Sequence, residues 1–239
     1  MLDDLAAQVA RAAAAAPELR VAVSLRDLDT GEHHAAGDAG EFGSASLVKV
    51  MIAARLLVDG AMDADTARLA HAMVSASDDD AANVLWERTG AGALEPWVER
   101  HYGLPGLGSP NRIPGRWGNT HFTAGGFSAL YGALRADPAV WPWLSAALHA
   151  IAPTASDGTD QVFGLLAVDS TAGVKQGWAN GSSDDAGNAV VHSTGVTHDD
   201  RYAVVVLTEG RGNVGGCDRR GLHAGQAATV THIVRVLLG

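Results

Sequence analysis

Two lysines stand out in this sequence, because all of its other basic residues are arginine. Of the 17 lysines and arginines, only Lys49 and Lys175 are lysine. Arginine stays protonated in proteins, whereas a desolvated lysine can lose its proton and act as a base. Ser46 precedes Lys49 by three positions, and residues at that spacing on a helix have Cβ atoms about 5–6 Å apart. A hydroxyl beside a neutral amine is a nucleophile with its general base, which is what this pair indicates, although the spacing alone is a weak pattern.

The local sequence predicts that Lys49 is buried. A helix is predicted for residues 46–59, and after Lys49 it continues with five apolar residues at 50–54. A helix that is apolar on all sides belongs inside a protein. Burial lowers the pKa of a lysine because the charged form loses its hydration. The alternative is purely structural: Ser46 caps the helix, and Lys49 extends to the surface.

Two further motifs complete the pattern. Ser77-Asp78-Asp79 and Lys175-Gln176-Gly177 follow Ser46-x-x-Lys49 along the chain. Together they resemble the three-part signature S-x-x-K, S-D-N and K-T-G of the class A β-lactamases and penicillin-binding proteins. The resemblance covers most of the chain in the right order, because the segments 21–31, 73–83 and 202–207 and the last helix are also similar to that family.

The resemblance implies four catalytic side chains, Ser46, Lys49, Ser77 and Lys175. Ser46 attacks a carbonyl carbon, and Lys49 takes the proton of Ser46. Ser77 relays a proton towards the leaving group, while Lys175 holds the Ser77 hydroxyl and supplies positive charge. The backbone N–H groups of Ser46 and Trp178 form the oxyanion hole, in which each donor is worth about 3–4 kcal/mol.

Three departures from the signature bear on the activity. Asp79 replaces an asparagine that bonds the substrate's amide. An aspartate only accepts hydrogen bonds, so it favours either a protonated Lys49 or a substrate that donates hydrogen bonds. Capping of the following helix is its alternative role. Gln176 stands in place of threonine. Residues 101–123 contain no Asp or Glu, although class A enzymes carry the glutamate that activates the deacylating water in that region. Poor β-lactam turnover is therefore expected.

Five residues are expected to contact the substrate. Gly177 lets a substrate lie close to a strand edge. Arg116 offers a guanidinium to a substrate carboxylate, with stabilisation of its own loop as the alternative. His192 faces the cleft from the next strand, unless it is a structural histidine. Asp79 and Gln176 complete the set. The expected partner is a small-molecule or peptide-like acyl substrate; no metal or other cofactor is expected, and the oligomeric state stays open.

Composition narrows the class of partner and the location. The formal net charge of −10 argues against nucleic acid, whose binders carry a basic surface, and against an anionic membrane surface. The single cysteine, Cys217, excludes an internal disulfide. No apolar run of about 18 residues is present, so no membrane span is expected. Asp3 and Asp4 stand where an export signal has basic residues, which predicts a cytoplasmic protein; an exported protein with its signal removed is the alternative.

The elements that must position these residues predict an α/β (α+β) fold. Strand periodicity is found in the segments 20–26, 33–36, 173–178, 189–194 and 201–208. Both chain ends would therefore contribute to one antiparallel sheet of about five strands, flanked by terminal helices and a helical insert. We expect a single β-lactamase-like domain over residues 1–239, with its α/β part at about 1–43 and 165–239 and its helical part at about 44–164.

The sequence predicts a serine acyl-enzyme hydrolase or acyltransferase that acts on an amide, ester or thioester, with poor or no β-lactam turnover. Two alternatives stay open: a catalytically silent binding module with the same fold, and a weak class A-like β-lactamase or D,D-peptidase. The presence of lysine at positions 49 and 175 alone favours a working site, because a decayed site has little reason to keep those two.

Overall fold

The computed structural model describes residues 5–109, 116–182, 185–210 and 221–239, without the side chains of 180–182, 185–187 and 221–224. The helices are α1 (Leu5–Ala13), α2 (Lys49–Val58), α3 (Ala64–Ser75), α4 (Asp79–Arg88), α5 (Leu94–Tyr102), α6 (Ala124–Ala136), α7 (Trp141–His149), α8 (Gly164–Val168) and α9 (Gly221–Leu238). The strands are β1 (Leu19–Asp27), β2 (His33–Gly37), β3 (Phe42–Gly43), β4 (Gly108–Ser109), β5 (His121–Phe122), β6 (Gly173–Ser182), β7 (Asp185–Thr197) and β8 (Tyr202–Gly210).

Five strands form one antiparallel sheet in the order β2-β1-β8-β7-β6. Its central pair joins the two ends of the chain, with Val23 of β1 opposite Val206 of β8. Among the described residues, no further strand pairs with the outer edge of β6. The predicted antiparallel sheet of about five strands from both chain ends is therefore confirmed.

The two faces of the sheet are covered by different helices, because successive side chains of a strand point to opposite faces. Val204 and Val206 of β8 pack in one cluster with residues of α1 and α9. Val205 and Leu207, which alternate with them, pack in a second cluster with residues of α2, α3 and α6. The predicted layers, with terminal helices on one face and the helical insert on the other, are confirmed.

Several elements of the fold go beyond those predicted from the sequence. The structure adds α5, α8 and the two-residue strands β3, β4 and β5, which pair in a small second sheet in the order β3-β5-β4. Two residues are too few to show an alternating pattern. Helix α5 lies between Gly90 and Gly103, whose φ values of 86° and 63° end helical stretches. It also holds Pro96 in its first turn, a position where proline is tolerated.

The pairing of β6 with β7 leaves no space for a side chain at Gly195. A Cβ atom there would lie 2.2 Å from the Gly173 carbonyl oxygen and 2.9 Å from the Val174 Cα. We expect Gly195→Ala to lower the free energy of unfolding by about 1–3 kcal/mol, since backbone atoms must shift. The measurement is denaturant unfolding. Gly225→Ala on α9, where nothing lies within 4 Å, is the control and should stabilise by up to about 1 kcal/mol; equal losses in both variants would contradict the close approach.

Candidate active site

The turn that carries Ser46 lies at the N-terminal end of α2. Residues 45–48 form a 3-10 turn that continues directly into α2. Ala45 has a φ of 45°, a left-handed conformation that is uncommon outside glycine. The Ser44 N–H donates to the Thr120 carbonyl oxygen at 2.7 Å, which ties the turn to the loop before α6. Ser46 therefore stands in the first turn of a continuous helical segment, only 5% exposed.

The Lys49 amine is buried, and its three donors are all engaged. Its Nζ lies 2.6 Å from Asp79 Oδ1, 2.7 Å from the Ser77 carbonyl oxygen and 3.3 Å from Ser77 Oγ. The Lys49 side chain is inaccessible to solvent, whereas 63% of the Asp79 side chain is exposed. In the described part of the chain, no hydrogen bond joins this amine to the Ser46 hydroxyl; Ser77 and Asp79 hold it instead.

Ser77 is the residue on which both lysines converge. Lys175 on β6 is completely buried, and its Nζ lies 2.9 Å from Ser77 Oγ and 2.8 Å from the Gln176 carbonyl oxygen. Ser77 itself lies between α3 and α4 with a φ of 52°. Such a conformation costs on the order of 1–3 kcal/mol for a residue with a side chain and is often found at functional sites. One hydroxyl thus contacts two amines that come from distant parts of the chain.

Burial depresses the pKa values of both amines. Desolvation lowers the pKa of Lys49, and the carboxylates of Asp79, Asp78 and Asp157 oppose that effect. Complete burial, followed by repulsion from the Lys49 charge, holds the pKa of Lys175 well below its ordinary value, and Asp79 and Asp157 oppose it only in part. The depression is therefore stronger at Lys175 than at Lys49.

Strand β6 lies directly against the Ser46 turn at Gly177. A Cβ atom at this position would lie 3.2 Å from Leu47 Cγ and 3.3 Å from the Ser44 carbonyl oxygen. Glycine therefore permits the close approach of strand and turn. This approach supports the predicted oxyanion hole of the Ser46 and Trp178 backbone N–H groups, which stays a prediction.

The loop before α6 adds an aromatic side to the site. The Trp117 ring lies over the Lys49 amine, with Nζ 4.7 Å from the ring centroid, and its Nε1 donates to Asn83 Oδ1 of α4 at 2.9 Å. An amine over an indole face is a favourable cation–π contact when it is charged. The neighbouring Arg116 is exposed, and its contact with a substrate carboxylate stays a prediction.

Asp157 is a residue of the site that its sequence context does not reveal. It precedes Gly158, a pair typical of a turn, and its Oδ1 accepts from the Thr159 N–H at 2.9 Å as such turns require. Its Oδ2 also accepts from Trp178 Nε1 at 3.0 Å, which attaches the turn to β6. Burial would raise the pKa of Asp157, but these hydrogen bonds and the Lys49 charge outweigh burial, and the pKa is lowered.

The predicted contact of Gln176 with substrate is wrong. Alternation along β6 turns this side chain to the face opposite Lys175 and Gly177, where it is completely buried. Its Nε2 donates to the carbonyl oxygens of Gln161 (3.2 Å) and Phe163 (2.7 Å). The side chain therefore attaches the segment before α8 to the sheet and is closed to a ligand.

The predicted contact of His192 with substrate is also wrong, and the structural alternative holds. The ring is completely buried. Its Nε2 lies 2.8 Å from the Gly43 carbonyl oxygen, and its Nδ1 accepts from the Thr208 N–H at 3.2 Å. These two contacts require a neutral ring protonated at Nε2. Burial lowers the pKa of His192 to about 4, in agreement with that form.

The described residues also bear on metal binding and membrane insertion. No group of three or more His, Cys, Asp or Glu side chains in these ranges is arranged to hold a metal ion. None of the helices described is both long and apolar enough to cross a lipid bilayer. Cys217, the only cysteine of the chain, lies outside the described residues.

Gln176→Thr tests the corrected position of this side chain. The variant restores the signature residue but leaves the carbonyl oxygens of Gln161 and Phe163 without their donor. We expect the free energy of unfolding to fall by about 1–3 kcal/mol, with no change in the rate at which a serine-directed probe labels Ser46. Faster labelling of a folded Gln176→Thr protein would show that position 176 faces the substrate.

His192 should make stability depend on pH. A histidine titrates near 6.5 in an unfolded chain and at about 4 in this fold, so the folded state binds fewer protons in between. Its contribution is fully present above pH 6.5 and is lost as the pH falls towards 4, by roughly 3 kcal/mol. Denaturant unfolding of the wild type and of His192→Gln across this range measures the effect. The wild type should lose more stability than the variant, and parallel pH profiles would contradict a buried neutral ring.

Comparison with known proteins finds curated relatives of this chain but no family model. No protein-family model matches the chain. A protein of Mycobacterium tuberculosis with the name "Putative lipoprotein LppW" is 31% identical over 208 residues, which are 81% of this chain and 64% of that protein. The same protein of Mycobacterium bovis gives the same figures. The chain thus spans slightly less than two thirds of the length of these relatives.

Solved structures match the chain over almost its whole length. A class A β-lactamase from Mycobacterium abscessus superposes with a TM-score of 0.71 at 14% identity, covering 95% of this chain and 96% of that one. A β-lactamase from Streptomyces albus G gives a TM-score of 0.68 at 17% identity, with 97% and 98% covered. A variant of the last common ancestor of the Gram-negative class A β-lactamases gives 0.70 at 17% identity, with 98% and 97% covered. The chain therefore has the fold of the class A β-lactamases.

Proposed function

We propose that this protein is a serine acyl-enzyme hydrolase or acyltransferase that acts on an amide, ester or thioester, with Ser46 as its nucleophile. One observation carries the proposal: the two lysines of the chain, both buried, converge on Ser77 Oγ at 3.3 Å and 2.9 Å. They do so beside the helical turn that presents Ser46. Two buried amines are costly to a fold, and such groups cluster at functional sites.

The proposed reaction follows from what these groups can do. Ser46 attacks the carbonyl carbon of the substrate, and its proton leaves through the cluster of Ser77 and the two lysines. The backbone N–H groups of Ser46 and Trp178 stabilise the oxyanion, worth about 3–4 kcal/mol for each donor. Ser77 then returns the proton to the leaving group, and an acyl-enzyme on Ser46 remains.

Two observations support slow release of the acyl group when the substrate is a β-lactam. The stretch 101–123 holds no carboxylate that could activate a water for deacylation. On the side of Lys49 that faces this stretch, the structure places the indole of Trp117, which is neither a base nor a strong hydrogen-bond acceptor. We therefore propose that turnover depends on a different substrate or on another acyl acceptor.

The relation to LppW bears on where the protein works. The name of that relative describes a lipoprotein, and lipoproteins are exported and anchored to a membrane surface by an acyl chain. This relation favours the exported alternative over the cytoplasmic location expected from the first residues. The proposed substrate then lies outside the cytoplasm.

A catalytically silent binding module is the second candidate function. It is favoured by one specific contact: the Lys49 amine is held by Asp79 Oδ1 at 2.6 Å and has no bond to the Ser46 hydroxyl in the described part of the chain. Such an amine cannot act as a base until a neighbour releases it. Covalent labelling distinguishes the two candidates.

The proposal predicts covalent labelling at Ser46. A fluorophosphonate probe should add one probe mass to the wild type by intact mass spectrometry, and none to Ser46→Ala. Ser170→Ala, altered at an exposed serine before β6, is the matched control and should label like the wild type. A chromogenic cephalosporin should give at most about one equivalent of rapid product, because acylation outruns deacylation.

The outcomes of this experiment separate the candidates. Equal labelling of the wild type and Ser46→Ala would contradict the assignment of the nucleophile. Failure of fluorophosphonates, activated esters, thioesters and β-lactams to label the folded wild type would favour the binding module. Rapid multiple turnover of the cephalosporin would contradict slow deacylation.

A further inference from the structure

We propose that Lys175, and not Lys49, is the amine that receives the Ser46 proton, by way of Ser77, and that Asp79 sets this division by holding Lys49 as an ammonium ion. The charge states of the two lysines are inferred from the structure of the resting site. Their part in acyl transfer rests on the proposed function. The inference reverses the role that the signature implies for the first lysine.

The contacts of Lys49 are those of an ammonium ion. A protonated lysine has three donors and no acceptor, and Nζ here meets three acceptors: Asp79 Oδ1, the Ser77 carbonyl oxygen and Ser77 Oγ. The shortest contact, at 2.6 Å, is to the carboxylate, as in a charge-assisted hydrogen bond. The Trp117 ring over the amine adds a further contact that favours positive charge.

The contacts of Lys175 fit a neutral amine. The Gln176 carbonyl oxygen can only accept, so it takes one Lys175 N–H at 2.8 Å. Ser77 Oγ already lies within reach of a donor of Lys49, and its own single proton must go to another acceptor. The nitrogen of a neutral Lys175, 2.9 Å away, offers a lone pair for that proton.

Of the described carboxylates near the cluster, the one that contacts a lysine directly lies against Lys49. Three carboxylates act on the amines. Asp78 accepts from the Ala81 N–H and from Ser156 Oγ. Asp157 accepts from the Thr159 N–H and from Trp178 Nε1. Asp79 alone of the three is in direct contact with a lysine in the described structure, and that lysine is Lys49.

Repulsion between the amines supports the same division. Two ammonium ions that share one oxygen in a buried site disfavour each other, so one positive charge is the stable state of the pair. Lys49 has a carboxylate partner and Lys175 has none within the described residues, so the charge belongs on Lys49. The stronger depression of the pKa of Lys175, caused by burial and then by the Lys49 charge, agrees with this distribution.

Every proton in the proposed step has a donor and an acceptor within the site. A bond forms between Ser46 Oγ and the acyl carbon while the Ser46 proton passes to Ser77 Oγ. The Ser77 proton passes at the same time to Lys175 Nζ, which becomes an ammonium ion. When the bond to the leaving group breaks, Lys175 returns one proton through Ser77 to the leaving atom. Lys49 remains an ammonium ion throughout and stabilises the negative charge that develops beside it.

Because the chain has only two lysines, the charge state of each can be measured by NMR. Lysine labelled with carbon-13 and nitrogen-15 gives only two side-chain spin systems in this 239-residue chain, which either Lys49→Arg or Lys175→Arg is enough to assign. Where neither variant folds, through-bond transfer to the assigned backbone of the wild type replaces them. At pH 7.5 we expect the ε-carbon of Lys49 in its charged form and that of Lys175 in its neutral form. The opposite pattern, or two charged amines, would overturn the proposal.

Asp79→Asn tests the positioning role of the carboxylate. We expect the titration midpoint of Lys49 to fall by about one to three pH units when the carboxylate is removed, and the positive charge to move towards Lys175. Asp79→Glu should restore charge to Lys49. The matched control is Asp65→Asn, which removes a carboxylate that is 91% exposed on α3 and should leave both lysines unchanged. An unchanged Lys49 titration in Asp79→Asn would overturn the role of Asp79.

The pH profile of Ser46 labelling separates this inference from the proposed function. The rate constant for fluorophosphonate labelling of the wild type should fall on the acidic side with the midpoint that the Lys175 resonance shows. A kinetic midpoint that follows the Lys49 resonance would overturn the inference while the serine hydrolase proposal stands. Absence of any labelling, with the expected resonances, would overturn the proposed function and the catalytic role of Lys175, and would keep only the resting charge states.

Discussion

The burial of two amines around one serine hydroxyl is the constraint on which the rest of the site depends. Lys49 and Lys175 are both inaccessible to water, so each must find its partners inside the protein. Ser77 Oγ serves both, and Asp79 supplies a carboxylate at the rim of the site. The helical insert and the sheet are thereby joined by polar contacts beside the turn that carries Ser46.

The backbone around this cluster is held in uncommon conformations. Ala45 and Ser77 both have left-handed φ values, of 45° and 52°, although neither is glycine. One immediately precedes the proposed nucleophile, and the other is the residue shared by the amines. Such strain persists only when the surroundings fix it. Here the surroundings include the Ser44 contact with the loop before α6 and the bonds from both lysines.

The sequence predicts the fold and the polar cluster well, because both follow from local patterns. Period-two strands reveal the sheet, and the order of three short motifs predicts that Ser46, Ser77 and the lysines belong to one site. The structure brings Ser77 and both lysines into hydrogen-bond distance. It shows no hydrogen bond between the Lys49 amine and the Ser46 hydroxyl, because the amine bonds Asp79 and Ser77 instead. The contact with Asp79 arises from the tertiary structure, and motif spacing does not reveal it.

The residues misjudged from sequence share one cause. Gln176 and His192 stand at positions that the motifs and strand order place near the cleft, but the alternation of β6 and the packing of β7 direct their side chains into the interior. Asp157 shows the reverse case, a site residue that the sequence does not reveal. Its sequence context indicates a simple turn, and only the folded chain brings it to Trp178. Side-chain direction and long-range neighbours decide these cases, and a single sequence carries neither.

The central pairing of β1 with β8 has a consequence for how the molecule is made. Among the described residues, the first strand of the chain pairs with the last, so contacts of very large sequence separation must close before the sheet exists, which slows folding. Lys175 lies on β6, reached only after the helical insert has emerged. A nascent chain therefore cannot assemble the cluster of Ser77 and both lysines until β6 has emerged, well after the helical insert.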